Sequence, residues 1–273
     1  MISSDKYFDT SSLQLQSYNT TKPVMFQVAS NFNCLENASV HTKFDNGYYL
    51  TNLMSDSTQG PSASSGAIAG AMLRVSSHLA KNTNLLENTS LGLKVVCGKL
   101  YASSIKENGK EKETHNLNVD EIMIGLHTNI SANFDRSSYG NKCCFYDDKS
   151  TIIDQVFTST IISPNMKDAN HTKITKQLLY AAYFGTYLAA VLKETEVVVL
   201  TFIGGGCFYN PIRTIIETIA EVHTEIMKLY PFNNIKQVIL PIYDKRNSPE
   251  DIVGALVNLD YPKDKIIIKE MSN

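Results

Sequence analysis

Residues 197–210 read VVVLTFIGGGCFYN, a hydrophobic run that passes straight into three glycines and then into aromatics. The run from Val197 to Ile203 is β-branched and aromatic with no alternation of polarity, the pattern of a strand buried on both faces. Burial on both faces belongs to parallel strands covered by helices, so this stretch selects an α/β fold. Beyond the glycines, Pro211 stands at a first helical position, and Ile212, Ile215, Ile216, Ile219 and Ile226 recur at helical spacing. A strand, a glycine turn and a helix start in this order present backbone N–H groups that can cradle a phosphate.

The alternation extends on both sides of that stretch. Residues 151–163 read as a strand and 172–193 as a long helix; after 197–203 and its helix come a strand at 235–243 and a last helix capped by Ser248, with Pro249 at its first position. In the first half, PVMFQVAS at 23–30 reads as a strand, Gly60-Pro61 as a turn, and the small-residue segment after it as a helix to about Ala80. Residues 93–103 and 121–130 read as strands joined by SIKENGKEKETHN, a solvated hairpin loop, and SSYGNKCCFYDDKS reads as another loop. The expected architecture is a mixed, largely parallel central sheet between two helical layers, with residues 1–22 as a polar arm and 23–273 as one domain.

Composition narrows the function classes. The chain has 273 residues, 43% of them hydrophobic, and a net charge of −2, which provides a core but neither a nucleic-acid footprint nor a polybasic membrane surface. The opening MISSDKYFDTSS lacks the basic and apolar regions of a signal peptide, and no apolar run reaches membrane-spanning length. Five cysteines without motif spacing fit reduced thiols, so the expected location is cytoplasmic. Cys143 and Cys144 are adjacent and the six histidines show no ligand spacing, so no metal site is expected. No cofactor is expected either, since GGGCFYN lacks the third glycine of the dinucleotide fingerprint.

In a parallel sheet the ligand lies beyond the carboxyl ends of the strands. Two places there have the required composition: VASNFNCLE together with DSTQGPSAS at 56–64, and GGGCFYN. Two such turns facing each other suit a diphosphate, and Asn31 and Asn33 add neutral groups suited to sugar hydroxyls. The three islands Ala29-Ser30-Asn31 with Asn33, TQGPSASSGAIAG and LTFIGGGCFYN, in that order, resemble the macrodomains, which bind ADP-ribose. The resemblance implies that Ser30 and Asn31 or Asn33 line the distal ribose, that Thr58, Gln59 and Gly60 hold one phosphate, and that Gly204, Gly205, Gly206, Cys207, Phe208, Tyr209 and Asn210 hold the other phosphate and the distal ribose. It further implies a style closer to ADP-ribosyl hydrolases than to histone-type readers, with ADP-ribose or an ADP-ribosylated protein as partner. The Gly-Asp-Ile that usually precedes the asparagine strand, whose Asp reads adenine, is absent from NTTKPVMFQ.

Cleaving an ADP-ribosyl bond passes through an oxocarbenium-like state, which needs a positioned water and a carboxylate or substrate phosphate to orient or deprotonate it. Asp56 is the first candidate and Glu36 the second, with Asn33 orienting the distal ribose. The modified side chain stays open, with arginine as one option. Two rivals stand beside this reading. A reader module would share the pocket without hydrolysis. A cysteine-dependent phosphatase would use the Cys-x5-Arg-Thr spacing of Cys207 and Arg213-Thr214, although FYNPI between them has no glycine.

Overall fold

The computed structural model describes residues 20–36, 68–90, 93–107, 110–111, 117–132, 134–136, 143–145, 151–242 and 268–270. In chain order the strands are β1 (Val24–Ala29), β2 (Val95–Val96), β3 (Lys99–Tyr101), β4 (Lys106–Glu107), β5 (Lys110–Glu111), β6 (Gly125–Ala132), β7 (Phe134–Arg136), β8 (Cys143–Phe145), β9 (Thr151–Thr158), β10 (Ile161–Ile162), β11 (Val197–Val199), β12 (Gln237–Ile242) and β13 (Ile268–Glu270). The helices are α1 (Ile68–Lys81), α2 (Ala169–Leu192) and α3 (Ile212–Leu229).

Six strands form the main sheet in the order β13-β12-β11-β1-β9-β6. All neighbours are parallel except β6, which runs antiparallel to β9 along one edge. The central strand β1 is buried on both faces and apolar apart from Gln27. Val24, Phe26 and Val28 join Phe157 and Ile130 in one core, while Met25 joins Val156, Tyr183 and Ile219 in the other. On the first face lies α1, whose Arg74 guanidinium sits 4.0 Å over the Phe157 ring and whose Gly70 closes on Ile130. On the second lie α2 and α3, with Leu179, Tyr187, Ile215 and Val222 inside. The result is the three-layer α/β/α arrangement with a mixed, largely parallel sheet expected from sequence.

This layering locates the crevice. The chain after β1 reaches α1 on one face, and the chain after β11 reaches α3 on the other. Adjacent parallel strands whose connections part to opposite faces open a cleft at their carboxyl ends, the switch point where α/β sheets take ligands. No helix among the described residues is long and apolar enough to cross a membrane.

Several boundaries differ from the sequence reading. The 93–103 strand is broken: β2 and β3 turn back on each other through Cys97 (φ 49°) and Gly98 (φ 80°), and β3 pairs β10 in a separate small sheet. Two positive φ values at a two-residue turn give a tight hairpin that period-based reading merges into one strand. The 137–150 loop contains β8, paired antiparallel with β7. Within 104–116, β4 pairs antiparallel with β5. Helix α2 begins earlier than 172, because Asp168 caps it by accepting from the amides of Asn170 (2.9 Å) and His171 (3.1 Å). Pro211 is the N-cap of α3 instead of its first helical residue. The helix expected from Ser248 lies outside the described residues.

Candidate functional site

The strand expected over 197–203 ends at Val199, and the way it ends builds the site. Leu200 still donates to the Ile239 carbonyl on β12 (2.8 Å), but β1 pairing stops at Phe26–Val199. From there side chains replace the ladder. The buried Gln27 carboxamide accepts from the Thr201 amide (3.2 Å) and donates to Thr186 Oγ1 (2.9 Å) and the Ala182 carbonyl (3.2 Å) on α2. The Tyr183 hydroxyl donates to the Thr201 carbonyl (2.8 Å) and accepts from the Ile203 amide (3.1 Å). Backbone groups that would otherwise be orphaned are thereby satisfied while the chain peels away from β1.

The glycine loop that follows is tightly determined. Gly204 has φ +73°, and a Cβ there would stand 2.4 Å from Thr160 Cγ2 and 2.6 Å from Asn210 Nδ2. A Cβ on Gly205 would stand 2.8 Å from Ile212 Cδ1, whereas one on Gly206 would meet nothing within 4 Å. Asn210 is buried and organises the loop from inside: its Nδ2 donates to the carbonyls of Ile161 (2.9 Å), Gly204 (3.3 Å) and Phe208 (3.3 Å). Tyr209 is 74% exposed and holds a left-handed φ of 57°, a conformation that a bulky residue adopts only where its surroundings impose it.

The loop uses some of its amide donors internally and leaves others without an acceptor among the described residues. Gly205, Tyr209 and Asn210 spend their amides on Phe202, Gly206 and Gly204 carbonyls. Among the described residues no acceptor meets the three consecutive amides of Gly206, Cys207 and Phe208. Helix α3 begins just beyond, with no side-chain cap and no acidic residue in its first turn, so its positive end is uncompensated. Free amides beside a helix N-terminus form an anion-binding concavity.

The other strand-end loop is more closed. Ser30 Oγ donates to the Asn31 and Thr158 carbonyls, and the Ser30 amide donates to Thr158 as well. Asn31 and Asn33 are buried; Asn33 Oδ1 accepts from the Leu35 amide (3.1 Å), and a Cβ on Gly98 would collide with its side chain at 2.6 Å. Asn33 is therefore packed beneath the Cys97-Gly98 turn, with Nδ2 meeting no partner among the described residues. Glu36 is half-buried. Asp56, Thr58, Gln59 and Gly60 lie outside the described residues.

What joins the two loops is the end of β9, a stretch the sequence reading took only as strand. Thr158 bonds Ser30, Thr160 packs on Gly204, Ile161 holds Asn210, and the Ser163 amide donates to the Phe208 carbonyl (2.8 Å). The signal was available: Thr158-Ser159-Thr160 is a run of small hydroxyls at the carboxyl end of a strand beside β1. All three are buried, with side-chain oxygens that meet no partner among the described residues.

The phosphatase arrangement is not assembled. Cys207 is exposed, and the Arg213 guanidinium, 86% exposed, bonds Glu217 along the helix at 2.8 Å. Among the described residues, no cluster of three or more side chains suited to a metal ion forms. Behind the first loop, Cys34 is buried beside Arg74, and burial pushes its thiol up to about 11 despite that cation. Burial, with Arg74 adding repulsion, holds the His127 imidazolium down to about 4, so this ring is neutral near pH 7.

No protein-family model matches the chain, and no curated protein matches it. Among solved structures it is similar to a variant of poly(ADP-ribose) glycohydrolase from Deinococcus radiodurans in complex with ADP-ribose, with 11% identity over 91% of this chain and 79% of that one and a TM-score of 0.46. It is also similar to poly(ADP-ribose) glycohydrolase from Thermomonospora curvata, with 10% identity over 94% and 79% and a TM-score of 0.47. The fold rests on the sheet order and register given above.

Proposed function

We propose that the chain binds ADP-ribose at the carboxyl edge of its sheet and releases it from modified protein side chains, with residues 23–273 acting as one cytoplasmic domain. The observation that carries this is the row of amides at Gly206, Cys207 and Phe208 that meet no acceptor among the described residues, set at the switch point and backed by an uncapped helix start. Three consecutive N–H donors and a positive helix end suit a phosphate oxygen, and the macrodomain-like order of the motifs supplies the diphosphate sugar. In this reading Tyr209 borders the distal ribose, Ser30 and Asn31 shape the pocket floor, and Asn33 and Asn210 act from beneath by fixing their loops. The second phosphate falls to Thr58, Gln59 and Gly60. Asp56, then Glu36, activates water at the anomeric carbon, a contribution of about 10²–10⁴-fold in rate. Arginine-linked and acid-linked ADP-ribose are the substrates to compare.

Gly206 gives the cleanest test, because its surroundings accept a side chain while its amide belongs to the cradle. Calorimetry should show ADP-ribose binding to wild type, and AMP, lacking the diphosphate, binding much more weakly. A Gly206→Glu variant should lose ADP-ribose by at least about 100-fold, since a carboxylate then occupies the anion site. Single-turnover release of ADP-ribose from both linkages then separates enzyme from reader: tight binding with no release from either linkage replaces hydrolysis by recognition alone. No binding to wild type, or undiminished binding to Gly206→Glu, ends the ADP-ribose reading.

A further inference from the structure

We infer that Tyr183, a buried residue of α2 outside the loop, is a positioning residue that sets the donor geometry of the Gly206–Phe208 cradle. The inference rests on the ADP-ribose reading for its ligand, but its geometry stands independently. Residues 201–203 are the hinge between β11 and the glycine loop, and they leave the sheet at a point where β1 no longer pairs with them. Two side chains fix that hinge. Gln27 on β1 receives the Thr201 amide, and Tyr183 spans the bend, donating to the Thr201 carbonyl and receiving the Ile203 amide. Gln27 is itself held by Ala182 and Thr186, the neighbours of Tyr183 on α2, so strand, helix and hinge form one polar unit in an otherwise apolar layer.

The position of this unit gives it consequence. Ile203 immediately precedes Gly204, whose φ of +73° turns the chain, and two residues later begin the amides that meet no acceptor among the described residues. A small rotation at 203 is carried into the direction of those N–H vectors. The opposite end of the loop is fixed by Asn210, so Tyr183 and Asn210 hold the two ends of the loop while its middle remains open. Burial pushes the Tyr183 hydroxyl far above the ordinary phenol value, so it keeps its proton and always donates to Thr201.

One turn along the same helix, Tyr187 makes a similar buried hydrogen bond, to His223 Nδ1 on α3 at 2.9 Å, away from the hinge. It is the matched control. Amide hydrogen exchange and ADP-ribose affinity are to be measured on wild type, Tyr183→Phe and Tyr187→Phe, with Gln27→Met releasing the hinge from the strand side should Tyr183→Phe not fold. The expected result is exchange at the bonded amides of Ile203, Gly205 and Tyr209 accelerated about tenfold or more by Tyr183→Phe and not by Tyr187→Phe, with ADP-ribose affinity falling by a similar factor in the first variant only. Loop exchange unchanged in Tyr183→Phe, or accelerated equally in Tyr187→Phe, overturns the clamp. A loosened loop with unchanged affinity overturns the positioning role. Should wild type bind no ADP-ribose, the functional reading fails while the exchange data still decide whether Tyr183 holds the hinge.

Discussion

Gly204 and Gly206 are two positions apart in one loop and have opposite tolerances. Gly204 is left-handed and walled in by Thr160 and Asn210, so Gly204→Ala should cost about 2–4 kcal/mol in urea-unfolding measurements. Gly206 faces open space, so Gly206→Ala should leave stability unchanged or raise it by up to about 1 kcal/mol through the unfolded chain. The three glycines were legible as a turn between strand and helix, but their division of labour was not, because it depends on Thr160, forty-four residues distant in sequence. Cysteines divide in the same way. Cys207 and Cys97 are exposed, while Cys34 is buried with its thiol pushed up to about 11. Peptide mapping after brief alkylation of native protein should show label at Cys97 and Cys207 well before Cys34.

At the scale of elements, the alternating order of the second half was legible because each element carries its own period and punctuation. α3 shows isoleucines at helical spacing, and β11 is a β-branched run. Element ends were less legible. Val197 to Ile203 looks like one strand, and only the tertiary partners Gln27 and Tyr183 explain why it stops at Val199. The start of α2 falls at Ala169 and not at 172, because Asp168, ahead of the apolar periodicity that begins at Ile174, caps it. Asp168→Ala should therefore cost about 1 kcal/mol in unfolding free energy, whereas Asp168→Asn or Asp168→Ser should cost much less. A loss of the same size in all three would assign the effect to some other contact of Asp168. At the candidate site, the loops that follow β1 and β11 were legible as loops, and the hydroxyl run that ties them was not. Position along a sequence does not reveal which strand lies beside which, and here β9 lies beside β1 although more than a hundred residues separate them.

For the whole molecule, two partly or wholly buried titratable groups on neighbouring strands push the acid response in opposite directions. His127 on β6 is held neutral, its value lowered to about 4 by burial and by Arg74. The unfolded chain protonates this ring near the ordinary 6.5, so His127 contributes stability that is complete above that pH and is lost as pH falls towards 4. The loss is on the order of 1–3 kcal/mol, at the lower end because the ring keeps some contact with water. Asp154 on β9 is buried with its value raised by desolvation, although its Oδ1 accepts the Asn129 amide at 2.7 Å where β6 bulges. A raised carboxyl means that the folded chain takes up this proton first, so acidification through its folded value adds stability instead of removing it. His127→Phe should flatten the decline in unfolding free energy between about pH 6.5 and 4, leaving the edge contact with Phe157 in place. Asp154→Asn keeps an oxygen for the Asn129 amide and removes the buried charge, so it should stabilise the protein near pH 7 and lose that advantage in acid. Urea midpoints measured across this range on the three proteins test both signs. An unchanged acid slope in His127→Phe would place the proton uptake elsewhere, and an Asp154→Asn protein less stable than wild type near pH 7 would mean that the ionised carboxylate has a partner worth more than its desolvation.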